Sequence, residues 1–121
     1  MDVLRITERR LGDVTVLELA GRLILEEGEF PLRDCVDRLV REGRVNIVLD
    51  LGKVTRLDSA GIGMLVCKYL SAFQKGGRVK FLHLTPRADE LMHVTKLAGV
   101  FEIFESEEDA IRSFGPGPSQ A

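Results

Sequence analysis

The run Val45-Asn46-Ile47-Val48-Leu49-Asp50-Leu51 is nearly continuous in branched apolar side chains, the composition of a strand covered on both faces by helices. Such strands belong to parallel sheets, whose neighbouring strands are joined by crossover helices. This one stretch therefore commits the chain to an α/β architecture with the run as its central strand. Beyond it, Ile62, Leu65, Val66, Tyr69, Leu70 and Phe73 recur at helical spacing and predict an amphipathic helix that stops near Lys75-Gly76-Gly77. Residues 79–84 read as a further buried strand. Thr85 followed by Pro86 is a cap with proline at the first helical position, opening a helix to about residue 94. Residues 101–104 form a short last strand, and Ser106-Glu107-Glu108-Asp109 resembles a capping box, with Asp in place of Glu, before a helix that turns Ala110, Ile111 and Phe114 inward.

Upstream, residues 3–9 alternate, with Leu4, Ile6 and Glu8 on one face, and Gly12-Asp13 turns the chain into a second strand over 14–20, so the pair reads as an antiparallel hairpin. Residues 21–28, bounded by glycines and carrying neither period, read as a connection. Leu32, Cys35, Val36, Leu39 and Val40 then mark a surface helix, with Pro31 in its first turn and Gly43 in the left-handed position after its end. Residues 52–57 read as a loop. The order is ββαβαβαβα: an N-terminal β-hairpin leading into a mainly parallel mixed sheet covered by about four helices. At 121 residues the chain is expected to form one domain over 1–114. Residues 115–121, Gly-Pro-Gly-Pro-Ser-Gln-Ala, supply no core and are expected to be a disordered tail.

Composition removes several function classes. A net charge of −2 with scattered basic residues leaves no footprint for a phosphate backbone, so no nucleic acid is expected. No window approaches the ~20 apolar residues that span a bilayer, and the start has no signal-peptide pattern, so no membrane association is expected and the reading is a cytoplasmic protein. Cys35 and Cys67 fall in helical patterns and read as small buried or half-buried hydrophobes. His83 and His93 stand in different elements, so no metal site is expected.

The stretch Leu57-Asp58-Ser59-Ala60-Gly61-Ile62-Gly63 joins the central strand to the helix behind it, where unpaired amide donors and the positive end of the helix dipole meet. Ser59 is suited to cap that helix, and so is Asp58. Gly61 and Gly63 each cost the helix about 1 kcal/mol relative to Ala. They either let another chain dock closely or pack against a loop of the same chain. A catalytic serine is not supported: Leu57 holds the position of the first glycine of a Gly-x-Ser-x-Gly elbow, and no acidic residue is indicated to orient His83 or His93. The glycines do not make a dinucleotide fingerprint, no Walker lysine is present, and Asp50 lacks the acidic pair of a phospho-aspartate receiver, Arg9-Arg10 standing there instead.

The run Val48-Leu49-Asp50-Leu51, Val54, and Leu57-Asp58-Ser59-Ala60-Gly61-Ile62-Gly63 resembles the hallmark of the STAS domain family, and within it the bacterial anti-sigma factor antagonists; the similarity extends from the first hairpin through Ala110. The resemblance implies the STAS fold and a partner-switching cycle. The unphosphorylated antagonist binds an anti-sigma factor, usually a serine kinase, and so frees a sigma factor for transcription. The kinase uses ATP to phosphorylate the serine matching Ser59, and a metal-dependent serine phosphatase restores the antagonist. The protein is then a substrate and a switch, not an enzyme, with no catalytic residue and no cofactor, and a monomer or weak dimer.

The partner surface implied is Asp58, Ser59, Ala60, Gly61, Ile62 and Gly63, joined by Arg22, Ile24 and Leu25 of the neighbouring loop. The chain departs from the pattern there. Family members commonly carry an aspartate shortly after the glycine ending the second strand, whereas Gly21-Arg22-Leu23 leads into Ile24 and a longer loop with Glu26-Glu27. Ile24 and Leu25 either make an apolar partner contact or plug the core beneath the loop. The other reading of the resemblance is a STAS module with a non-switching structural role in a lipid-transport or signalling assembly, in which Ser59 is a cap only.

Overall fold

The computed structural model describes residues 3–25 and 29–115. Strands β1 (Arg5–Leu11) and β2 (Val14–Leu23) form the hairpin, followed by α1 (Glu29–Arg41), β3 (Asn46–Leu57), α2 (Ser59–Gln74), β4 (Arg78–Leu82), α3 (Pro86–Val94), a 3-10 turn at Leu97–Gly99, β5 (Ile103–Phe104) and α4 (Glu107–Arg112). The sheet order is β1-β2-β3-β4-β5, so β3 is the middle strand. β1 runs antiparallel to β2 and every other pair is parallel. Among the described residues no helix is long and apolar enough to cross a membrane.

Alternation along the strands divides the interior into two unequal parts. Leu17, Leu19, Ile47, Leu49, Leu51, Val79 and Phe81 face the larger core, where Leu32, Val36 and Leu39 of α1, Ile62, Leu65 and Ala72 of α2, and Ala88 and Met92 of α3 close over them. Val14, Val16, Val48 and Leu82 point the other way and are covered by Ala110 of α4. The small side is pinned by a buried cation. Lys80 Nζ meets Glu102 Oε2 at 2.8 Å and donates to Ser113 Oγ and Ser113 O at 2.9 and 3.1 Å, while lying 4.4 Å from the centre of the Phe114 ring. Burial of an ammonium is tolerable because its donors are all taken.

Several element bounds differ from those expected. β1 begins at Arg5 rather than Val3 and runs through Leu11, since the two-residue turn Gly12-Asp13 lets pairing continue to Leu11–Val14. Gly21, Arg22 and Leu23, read as part of a connection, extend β2. Residues 52–57, read as a loop, are the second half of β3: Ala20 pairs with Lys53, Gly21 with Val54, Arg22 with Arg56 and Leu23 with Leu57, after a register shift between Glu18 and Ala20. Cys67 is exposed rather than buried, and Cys35 is half-buried. The expected caps are in place, Thr85 Oγ1 accepting from Ala88 N and Ser106 Oγ from Asp109 N. Gly115 is exposed; the remainder of the expected tail, 116–121, lies outside the described residues, as do Glu26 and Glu27.

One contact decides where α2 sits. A Cβ built on Gly61 would lie 2.1 Å from the carbonyl oxygen of Leu23 and 2.7 Å from Leu57 Cδ1, so the first turn of α2 rests directly on the end of β2. Only glycine permits that approach. Gly61→Ala is expected to lower unfolding stability by about 3 kcal/mol, the upper end for overpacked sites, with an unchanged m-value in urea unfolding; a loss under about 0.5 kcal/mol would contradict this packing.

Candidate functional site

β2 and β3 are parallel and stop together at the Leu23–Leu57 pair. Ile24 and Leu25 leave one strand while Asp58 and Ser59 leave the other, so two chain exits lie side by side on the first turn of α2. Asp58 is extended (φ −118°, ψ −177°) and is the N-cap residue. Its Oδ1 accepts from the Gly61 N–H at 2.9 Å, and its carbonyl accepts the Ile62 N–H at 3.0 Å. The second carboxylate oxygen accepts the Leu25 N–H at 3.1 Å. One side chain therefore satisfies a helix donor and also ties the β2–α1 connection to the helix start.

With the cap supplied by Asp58, the Ser59 hydroxyl is left over. Ser59 is the first residue of α2, it is exposed, and among the described residues its side chain has no hydrogen-bond partner. The reading of Ser59 as the cap is corrected accordingly. Gly63, one turn on, is exposed and has no atom within 4 Å of a built Cβ, which leaves open space beside the hydroxyl. Ala60 lines a groove of about 450 Å³ between α1 and α2 with Leu32, Gly63, Met64 and Cys67.

The other residues expected at a partner surface divide by burial. Leu25 is 66% exposed, so it is not a plug beneath the loop; Ile24 and Arg22 are half-buried. Gly61 is buried and Ile62 is 5% exposed. Both face inward, because the Leu23 carbonyl and the main core occupy that side of the helix, and neither offers a side chain to a partner. Gly61 serves its own chain's packing, whereas Gly63 is the glycine that opens the surface. Arg56 is exposed on β3, and with Ile24, Thr55, Asp58 and Arg87 it lines a small cleft of about 270 Å³.

A second constellation was not anticipated. His83 has a left-handed backbone (φ 57°), and its Nδ1 lies 3.2 Å from Asp50 Oδ1, which also accepts the Gly52 N–H at 3.0 Å. Asp50 is thus the acidic partner that the sequence did not indicate for His83. A Cβ on Gly52 would approach the His83 Cβ to 3.1 Å and Asp50 Oδ1 to 3.3 Å, so Gly52 leaves room where the two side chains meet. His83, but not Asp50, lines a cavity of about 770 Å³ at the carboxyl ends of β4 and β5, beside Gly52 in the middle of β3, with residues including Thr85, Asp89, Phe104 and Glu105 but not Ser59. Nucleophile and base are therefore not brought together there. His93 is exposed on α3. Among the described residues no group of three or more His, Cys, Asp or Glu side chains could hold a metal ion.

Desolvation at the strand end works to raise the Asp58 carboxyl pKa, but the backbone donors of Gly61, Leu25 and Ala60 outweigh it and hold the group below the usual carboxylate range. A depressed folded-state pKa contributes stability that is present above the unfolded value, about 4, and is lost as pH falls through the folded one. Asp58→Ala is expected to cost about 1 kcal/mol at pH 7, as for other lost caps, and the gap to wild type should narrow below about pH 4. A gap that stays constant down to pH 2 in urea titrations would contradict an ionised cap.

Comparison with known proteins places this geometry in a family. The family description that matches is "Mlab, STAS domain", over residues 6–104. The chain is 24% identical over 98 residues to an anti-sigma F factor antagonist from Paenibacillus polymyxa, covering 81% of this chain and 84% of that protein. Among solved structures, an anti-sigma factor antagonist from Mycobacterium paratuberculosis superposes with a TM-score of 0.81 at 20% identity, covering 93% of this chain and 94% of that one. The Bacillus cell fate determinant SpoIIAA in its phosphorylated form superposes with a TM-score of 0.72 at 19% identity, covering 91% and 99%. The match spans the hairpin, the central strand and the Asp58-Ser59 turn that starts α2, and the chain belongs to the STAS domain family.

Proposed function

We propose that this protein is an anti-sigma factor antagonist that binds an anti-sigma serine kinase while Ser59 is unmodified and is switched off when that kinase phosphorylates Ser59. A serine phosphatase then restores the binding form, and sigma-factor-dependent transcription follows the balance. The observation that carries the reading is the exposed Ser59 hydroxyl, freed of any capping duty by Asp58. The names of the Paenibacillus and Mycobacterium relatives support the partner class, and SpoIIAA shows that a protein of this fold exists in a phosphorylated form.

The surface beside Ser59 suits a protein partner. α2 carries a single charged residue, Lys68, which is mostly buried and paired with Asp37 at 3.2 Å. The exposed positions of α2 are Ser59, Gly63, Cys67, Leu70, Phe73 and Gln74, with Leu70 and Phe73 47% and 49% exposed. A phosphoryl group brings nearly two negative charges to one end of this uncharged stripe. The amino terminus of α2 tolerates the anion, so the fold survives. Burying it against a partner without a matching cation costs several kcal/mol, enough to abolish a complex held at micromolar affinity, about −8 kcal/mol.

The matched family description names Mlab and the STAS domain but no antagonist, and the second reading remains a STAS module with a structural role in a lipid-transport or signalling assembly. Incubation with a cognate kinase and ATP separates the two. Phosphate is expected on Ser59 by mass spectrometry and absent from Ser59→Ala; label retained by Ser59→Ala, or none on wild type, favours the structural module. Gly63→Ala should stabilise the fold by about 0.5–1 kcal/mol, since its methyl meets no atom and helix propensity improves. The same variant should bind the kinase roughly tenfold more weakly (about 1.4 kcal/mol) in calorimetric titration, and undiminished affinity would remove Gly63 from the docking surface.

A further inference from the structure

Among the described residues Leu25, beside the Asp58–Ser59 turn, is a large apolar side chain left 66% exposed, and its own amide fixes where it stands. The last ladder pair before it is Leu23–Leu57, and beyond that pair the Leu25 N–H donates to Asp58 Oδ2 at 3.1 Å. The other oxygen of the same carboxylate holds the Gly61 N–H. A single anion thus governs two donors, one inside α2 and one on the neighbouring chain exit. A phosphoryl group on Ser59, the adjacent residue, would stand at the same helix end, repel that carboxylate and compete for the same amides. The Gly61 bond is local to the helix turn and is backed by the Asp58 carbonyl accepting from Ile62. The Leu25 bond crosses between chain exits.

We propose that Asp58 couples the two halves of the surface: phosphorylation of Ser59 opens the Leu25 N–H to Asp58 bond, so that the Leu25 side chain leaves the docking face as the phosphate arrives. The partner is accordingly a protein with an apolar pocket for Leu25 beside the site that receives Ser59. This rests on the reading of Ser59 as the phosphoacceptor and makes Asp58 a positioning residue. It assigns a task to the loop in which this chain departs from the family pattern.

The test installs phosphoserine at position 59 during synthesis, without any kinase, and follows amide hydrogen exchange by NMR. The Leu25 amide should exchange at least tenfold faster than in the unmodified protein, with the Ile62 amide unchanged. Asp58→Asn keeps an oxygen to cap Gly61 but has no second acceptor for Leu25. It should give the same acceleration without phosphate, retain a native circular dichroism spectrum, and bind the partner kinase about tenfold more weakly. Leu25→Ala should weaken wild type by a similar factor and add little to D58N. Unchanged Leu25 exchange in the phosphoserine protein, or additive losses in the double variant, overturns the coupling while leaving Ser59 as phosphoacceptor. Kinase label at another residue would instead remove the proposed function without touching this measurement.

Discussion

The carbonyl oxygen of Leu23 occupies the space a side chain at position 61 would need, and the arrangement of the Asp58–Ser59 end of the molecule depends on that contact. Because residue 61 is glycine, α2 starts against the ends of β2 and β3 rather than a side chain's width away. Asp58 then reaches Gly61 and Leu25 with its two oxygens. Ser59, one residue further, is turned to solvent. The parallel register that ends both strands at Leu23–Leu57 sets up the geometry, and the glycine lets the helix use it.

On the proposed function, this division of labour separates stability from signalling. Had Ser59 been the cap, modifying its hydroxyl would have removed a helix contact worth about 1 kcal/mol along with changing the charge. With Asp58 as the cap, a phosphate on Ser59 would add charge at the surface and leave the backbone donors of the helix satisfied. The main core would be indifferent to such an event: Ile62 and Leu65 anchor the inward side of α2 among buried strand residues. The opposite sheet face, with α4 held by Lys80, is a separate cluster. A fold so anchored can change the chemistry of one exposed turn without reorganising.

The central position of β3, the hairpin, the four main helices and the caps at Thr85 and Ser106 were legible in the sequence, because each rests on local pattern and side-chain type. The second half of β3 was not. Two register shifts in its pairing with β2, between Glu18 and Ala20 and between Gly21 and Arg22, accompany buried residues at Leu51, Val54 and Leu57, every third position, which matches neither strand alternation nor a helix. The choice between Asp58 and Ser59 as cap was equally hidden, since both residues are good caps and only the backbone geometry decides. Gly61 and Gly63 look alike in sequence, yet one is buried against a carbonyl and the other faces open space. Asp50 and His83 are 33 positions apart and meet only because Asp50 pairs with Leu82 across parallel strands.

The account turns on Ser59 being the point at which a charge cancels binding. The most direct measurement is the affinity of the partner kinase for this protein with and without phosphate on Ser59, taken by calorimetry at one salt concentration. Micromolar or tighter binding is expected for the unmodified protein and at least a hundredfold weaker binding for the phosphorylated one, about 2.7 kcal/mol. Equal affinities for the two forms would contradict it.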